Sequence, residues 1–220
     1  MTTLLVLLTF LVIATIIYLV RRDVVLAHRA KSQDIQLKVP VMTQEAGLDV
    51  PKGFRFHLGH TWAYDEGRQI VRVGIDSFAT KVVGQIDHIE VEKLNRWVRQ
   101  GKRVCTITHG DTTVDFLSPV EGVVVSVNYE VLHDPSVIQR DPYKDGWICV
   151  IKAPDLDINL KNLIQESMLG IWIQTSLRRL QSYAAPLGAA TADGGLPIDG
   201  MLSHVGPDAK REMLREFFLN

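Results

Sequence analysis

No charged side chain occurs between Met1 and Val20, and Leu4 to Val20 read LLVLLTFLVIATIIYLV. This is the strongest constraint on the chain, because an apolar run of that length has to leave water. At 1.5 Å per residue, roughly 20 helical residues span the ~30 Å hydrocarbon core of a bilayer. Thr9 and Thr15 interrupt the run, and a helix satisfies a threonine hydroxyl on its own carbonyl one turn back. A cleaved signal peptide needs a basic stretch before the apolar run and small residues after it. Nothing basic precedes Leu4, and Ile16-Ile17-Tyr18-Leu19-Val20 is a poor cleavage context. Residues 1–20 are therefore expected to form an uncleaved transmembrane helix in contact with membrane lipid. Arg21, Arg22, Arg29 and Lys31 follow it. The positive-inside bias then expects a single-pass protein of the cell (inner) membrane, with the remainder on the cytoplasmic side.

The remaining 200 residues hold all 24 Lys+Arg and 25 Asp+Glu, for a net charge of −1. That balance provides no overall basic footprint for nucleic acid, and 46% hydrophobic residues exclude disorder throughout. No phosphate-cradling loop, Gly-x-Ser-x-Gly elbow or kinase set is present, so a small-molecule substrate and an enzymatic function are not expected.

Residues 21–52 lack sustained periodicity, are punctuated by Pro40 and Pro51, and read as a juxtamembrane linker. From Gly53 the chain turns β-rich. Val71, Val73 and Ile75 alternate on one face of a strand. Asp76 or Ser77 then caps a short helix that runs to Val83, with Gly84 as its stop. Residues 103–108, 122–128 and 147–151 are further strands, and the last of these is apolar throughout, as a strand buried on both faces would be. Asp134-Pro135 opens a second short helix. Past Pro154 the period changes to that of a helix, expected over 157–183 with Leu160, Leu163, Ile164, Met168, Ile171 and Trp172 on one stripe and further apolar residues off it. Residues 184–206 read as a flexible Ala/Gly/Pro-rich linker. Residues 207–220 read as a last helix with Met213, Leu214, Phe217 and Phe218 on one face.

An ordered set of motifs runs from His60 to about Ile164. It comprises His60-Thr61-Trp62, Val73-Gly74-Ile75-Asp76-Ser77-Phe78-Ala79, Gly84-x-Ile86, Val98-x-x-Gly101, Ser118-Pro119-Val120-Glu121-Gly122 with Asn128, and Asp141-Pro142-Tyr143-x-x-Gly146-Trp147. In this order and spacing the segment resembles the H protein of the glycine cleavage system. The resemblance implies a mainly β fold, a lipoyl-like barrel-sandwich hybrid with short helices, over about 53–156. To this the chain adds the N-terminal transmembrane helix and the C-terminal helices.

The resemblance also implies a site. The family carries its lipoyl group on one lysine, and the position seven residues before Ser118 is Asp111. A carboxylate has no amine to acylate, and Arg103 to Tyr143 contain no Lys. No cofactor is expected. The expected role is that of a non-lipoylated, membrane-anchored scaffold or accessory subunit, with protein partners in a membrane complex. A lipoate-dependent aminomethyl carrier is the first alternative. The second is a metal or acid/base site at the His109/Asp111 hairpin tip, for which no third ligand is evident. Partner-binding candidates are His109 and Asp111 at the tip, Trp172 on the long helix, and Leu214, Phe217 and Phe218 on the last one. The last helix either fits a partner's groove or docks back on the domain. His57-x-x-His60 is expected to place one ring in the core and one near the surface. Cys105 and Cys149 read as small buried hydrophobes, with a single disulfide as the alternative.

Overall fold

The computed structural model describes residues 11, 15, 18, 42–45, 48–184 and 200–219. Residues 1–37 and 38–220 form separate compact units. In the first, Leu11, Thr15 and Tyr18 are helical and exposed, and the Thr15 hydroxyl donates to the Leu11 carbonyl at 2.6 Å. Apart from these three residues, the span expected over 1–20 lies outside the described residues. Among the described residues no helix is long and apolar enough to cross a membrane.

The second unit is built on two sheets. The larger has six strands: β3 (Arg55–Phe56), β4 (Thr61–Gly67), β5 (Ile70–Ile75), β7 (Trp97–Val98), β10 (Gly122–Val127) and β11 (Cys149–Lys152), in the order β3-β4-β5-β11-β10-β7. The smaller holds β6 (His88–Val91), β8 (Arg103–His109) and β9 (Thr112–Leu117), with β8 in the middle. Every paired neighbour is antiparallel. The period-two pattern explains the layering: Val71, Val73 and Ile75 are fully buried, as are Val124, Cys149 and Ile151 in strands beside them. On the opposite face Trp62 is also fully buried, and its indole donates to the Ile75 and Pro142 carbonyls at 3.0 and 3.2 Å. That face also carries Arg72, which lies over the Trp147 ring at 5.5 Å and pairs with Glu66.

Short helices close the barrel. Helix α1 (Ser77–Val83) starts where expected, with Asp76 accepting from the Ala79 N–H, and stops at Gly84 with φ +77°. Helices α2 (Tyr129–His133) and α3 (Ser136–Arg140) follow β10. Asn128 caps α2 and also donates its amide to the Asp145 and Trp147 carbonyls, so one side chain joins helix, turn and strand. The structure thus has the β-rich architecture with short helices that the motifs imply.

Three expectations about the flanking parts are corrected. The linker over 21–52 ends in a hairpin, β1 (Met42–Glu45) with β2 (Leu48–Pro51), whose Leu48 and Val50 are buried against the domain. The helix over 157–183 is two helices, α4 (Leu156–Lys161) and α5 (Glu166–Ala184). Between them the chain turns extended, and the Ile164 N–H donates to the Phe56 carbonyl at 2.8 Å. That break resets the phase: α5 buries Leu169, Ile173, Leu177 and Leu180 and leaves Met168 and Ile171 exposed. The linker over 184–206 ends in α6 (Met201–His204), whose Met201 and Leu202 are buried. The Gly200 N–H ties it to the Lys81 carbonyl of α1 at 2.8 Å. The last helix, α7, spans Pro207–Phe218.

Candidate functional site

The hairpin of β8 and β9 carries the position that the motifs single out. Its inward residues Cys105, Ile107, Val114 and Phe116 are buried, which is why the pair alternates and holds one register. Outside, the cross-strand pair Thr106 and Asp115 is hydrogen-bonded at 2.6 Å, and Arg103 donates to the same threonine at 3.0 Å. His109 pairs with Thr112 across a two-residue loop, Gly110-Asp111. Gly110 has φ +52°, the left-handed value that a tight hairpin demands at its first loop position. Asp111 is exposed at the tip.

The tip is held from both sides. The Gly110 N–H donates to Asp87 Oδ2 at 2.8 Å, and His109 Nδ1 stands 3.5 Å from the same oxygen. The Gly110 amide, with smaller help from His109 and Gln85, keeps the Asp87 carboxyl below its usual range. On the other side, Lys210 of α7 donates its ammonium to Thr112 Oγ1 at 2.8 Å.

Helix α7 does more than reach the tip. Phe218 packs on Phe116 with ring centroids 5.3 Å apart, and Phe217 packs on Phe78 at 5.3 Å. Met213, Phe217 and Phe218 are all buried, and Leu214 is partly so. The expectation that Phe217 and Phe218 face a partner is thereby corrected: their apolar face is covered by the chain's own barrel. At the α5 end, Glu216 accepts from Tyr183 at 2.7 Å and from Arg179 at 3.1 Å. Burial and Glu216 both push the Tyr183 hydroxyl up, so it stays a donor.

Under α5 and α7 lies His60, 1% exposed, with Nδ1 2.8 Å from Asp76 Oδ2. Its ring stacks between Phe78 at 4.3 Å and Trp172 at 4.6 Å. Trp172 is therefore half-buried in an internal stack. His57 is half-buried and takes the surface role that the His-x-x-His spacing anticipates. Burial, and next the nearby His60, lower the His57 pKa from 6.5. The unfolded chain then binds the proton first as pH falls through about 6.5, so stability declines on acidification. His57→Gln is expected to show a smaller loss of melting temperature between pH 7.5 and 5.0 than the parent protein, which parallel thermal melts would check.

Chemically the region offers little for catalysis. Cys105 and Cys149 are free and buried; burial pushes the Cys149 thiol up to about 12 and the Cys105 thiol up as well. Neither presents a thiolate nucleophile. Among the described residues no group of three His, Cys, Asp or Glu side chains is placed to hold a metal ion. The position that resembles the lipoyl site does not fit that group, since Asp111 has no amine and Arg103 to Tyr143 contain no lysine; the amine that reaches the tip is that of Lys210, from the last helix. Two features escaped the sequence: Lys210 at the tip and Arg72 on the sheet. The first is 98 residues from its partner, and no local pattern signals such a contact.

Comparison with known proteins agrees with the motifs. The family model described as glycine cleavage H-protein matches residues 54–173. The glycine cleavage system H protein of Thermus thermophilus is 32% identical over 109 residues, covering 50% of this chain and 84% of that protein. The probable glycine cleavage system H protein 2 of Sulfolobus acidocaldarius is 34% identical over 114 residues, covering 50% and 76%. A crystal structure of the glycine cleavage system H protein of Mycobacterium marinum aligns with a TM-score of 0.48 at 24% identity, over 54% of this chain and 94% of that one. On the strength of the family model and the Thermus and Sulfolobus proteins, this chain belongs to the glycine cleavage H-protein family.

Proposed function

We propose that this family member is not lipoylated and works as a docking module: a membrane-anchored scaffold or accessory subunit on the cytoplasmic side. The observation that carries this reading is Asp111, an exposed carboxylate at the hairpin tip, seven residues before Ser118. A carboxylate there accepts hydrogen bonds and salt bridges from a partner but forms no amide with an acid. The rigid hairpin, clamped by Asp87 and Lys210, holds that acceptor in a fixed place. The apolar run of residues 4–20 supports the anchor.

Intact-mass measurement of the full chain purified from its native membrane tests this. The expected mass is that of the unmodified polypeptide; a lipoyl addition overturns the reading. A second reading, a lipoate-dependent aminomethyl carrier, is favoured by the H-protein relatives and by one observation in the structure. An amine does reach the tip, because Lys210 Nζ lies 2.8 Å from the hydroxyl of Thr112, next to Asp111. A lipoyl adduct mapped to Lys210 by peptide mass would establish that second reading in place of the first.

A further inference from the structure

Between Glu92 and Asp111 the chain has no acidic residue, and Lys93, Arg96, Arg99, Lys102 and Arg103 fall within it. All five are exposed. In their midst is Trp97, which is 51% exposed, while the adjacent Val98 is 4% exposed and points into the barrel. Strand alternation therefore turns Trp97 outward. Strand β7 is the end strand of the six-stranded sheet, and Trp97 pairs with Val123 of β10, which pairs in turn with Lys152 of β11. Paired residues share a face, so Lys152 adds an exposed cation on the side of Trp97, whereas Arg103 starts β8 of the smaller sheet and is bonded to Thr106 there. Val125, at the irregularity of β10, adds an apolar side chain that is 38% exposed. Two acids border the face: Glu92, at 4.0 Å from Arg96, and Glu121, which precedes the Gly122 that pairs with Val98.

We propose that this Trp97-centred basic face is a lipid-facing surface that rests on anionic headgroups. Exposed tryptophan is costly in water but favourable at the headgroup level, where its ring sits among carbonyls and its N–H stays hydrogen-bonded. Cations around it attract an anionic leaflet, each by roughly five-fold in affinity. An anionic membrane is favoured over an acidic protein because the same chain carries an uncharged 20-residue segment followed by Arg21 and Arg22. The inference rests on the membrane reading above only for bringing the domain near a bilayer.

The test uses the full chain reconstituted into vesicles of phosphatidylcholine alone or mixed with phosphatidylglycerol, some with brominated acyl chains. The difference in emission between the parent protein and Trp97→Phe isolates Trp97 from the three other tryptophans. Trp97 is expected to be quenched by brominated lipid in the anionic vesicles and not in the neutral ones. Joint replacement of Arg96, Arg99 and Lys102 by Ala is expected to reduce the docked population by roughly a hundred-fold at an unchanged melting temperature. Equal quenching in both vesicles, no quenching in either, or protection of 93–103 by an acidic protein in place of lipid overturns the proposal. A chain that resists carbonate extraction while Trp97 stays unquenched retains the anchor and refutes the face. Quenching by a chain that carbonate releases supports the face and removes the anchor.

Discussion

Phe218→Ala is expected to destabilise the protein by about 3–5 kcal/mol, the range for deleting a buried phenylalanine. The ring is fully buried, lies 5.3 Å from Phe116 and 6.2 Å from His60, and closes the three-stranded sheet from above. Its loss removes both transfer free energy and the contacts of the rings around it. The effect should be concentrated in α7, because the polar ties of that helix are partly solvated: Arg179 in the Glu216 pair is 58% exposed, and such pairs contribute little. Thermal melts should fall and amide exchange over 207–218 should rise, with Thr112 losing its Lys210 donor. Phe218→Leu keeps much of the volume and should lose less. If the alanine variant melts like its parent and α7 stays protected, the helix is not held by this ring.

Gly122→Ala should be nearly as severe for a different reason. A Cβ built there meets the Lys152 carbonyl oxygen at 2.1 Å and Ile151 Cγ2 at 2.8 Å. The obstacle is strand backbone rather than a flexible side chain, so relief requires β10 and β11 to part where Val123 pairs with Lys152. Overpacking of a filled core costs about 1–3 kcal/mol and occasionally more. A backbone obstacle belongs at the upper end, so about 3 kcal/mol is expected. Chemical denaturation of the full chain in detergent would measure it. A neutral result would mean that β10 and β11 do not approach as closely in solution.

Much of the barrel was legible because its signals are local. The alternation over Ile70–Ile75, the Asp76 cap, the Gly84 stop and the Asp-Pro-Tyr turn each lie within a few residues of what they control. The position of Asp111 followed by counting from Ser118. The misread parts depend on distant partners. The hairpin at Met42–Pro51 has no run long enough to declare itself and is buried only because the rest of the domain is there. The helix over 157–183 broke because Ile164 found the Phe56 carbonyl, 108 positions earlier in the chain. That contact rotated the buried stripe from Met168 and Ile171 to Leu169 and Ile173.

The amphipathic periodicity of Met213, Leu214, Phe217 and Phe218 establishes that this helix must cover its apolar face, and says nothing about what covers it. Hydrophobic burial is non-directional, so a partner's groove and the chain's own sheet satisfy the same pattern equally. The tertiary structure chose the sheet, through Phe116, Phe78 and the Lys210–Thr112 bond. The sequence by itself determined the family, the lost lysine and the uncharged N-terminal run, because identity and charge are properties of single positions. Which surface remained free, and that the Lys210 amine reaches Thr112 at the hairpin tip, required the path of the chain in space.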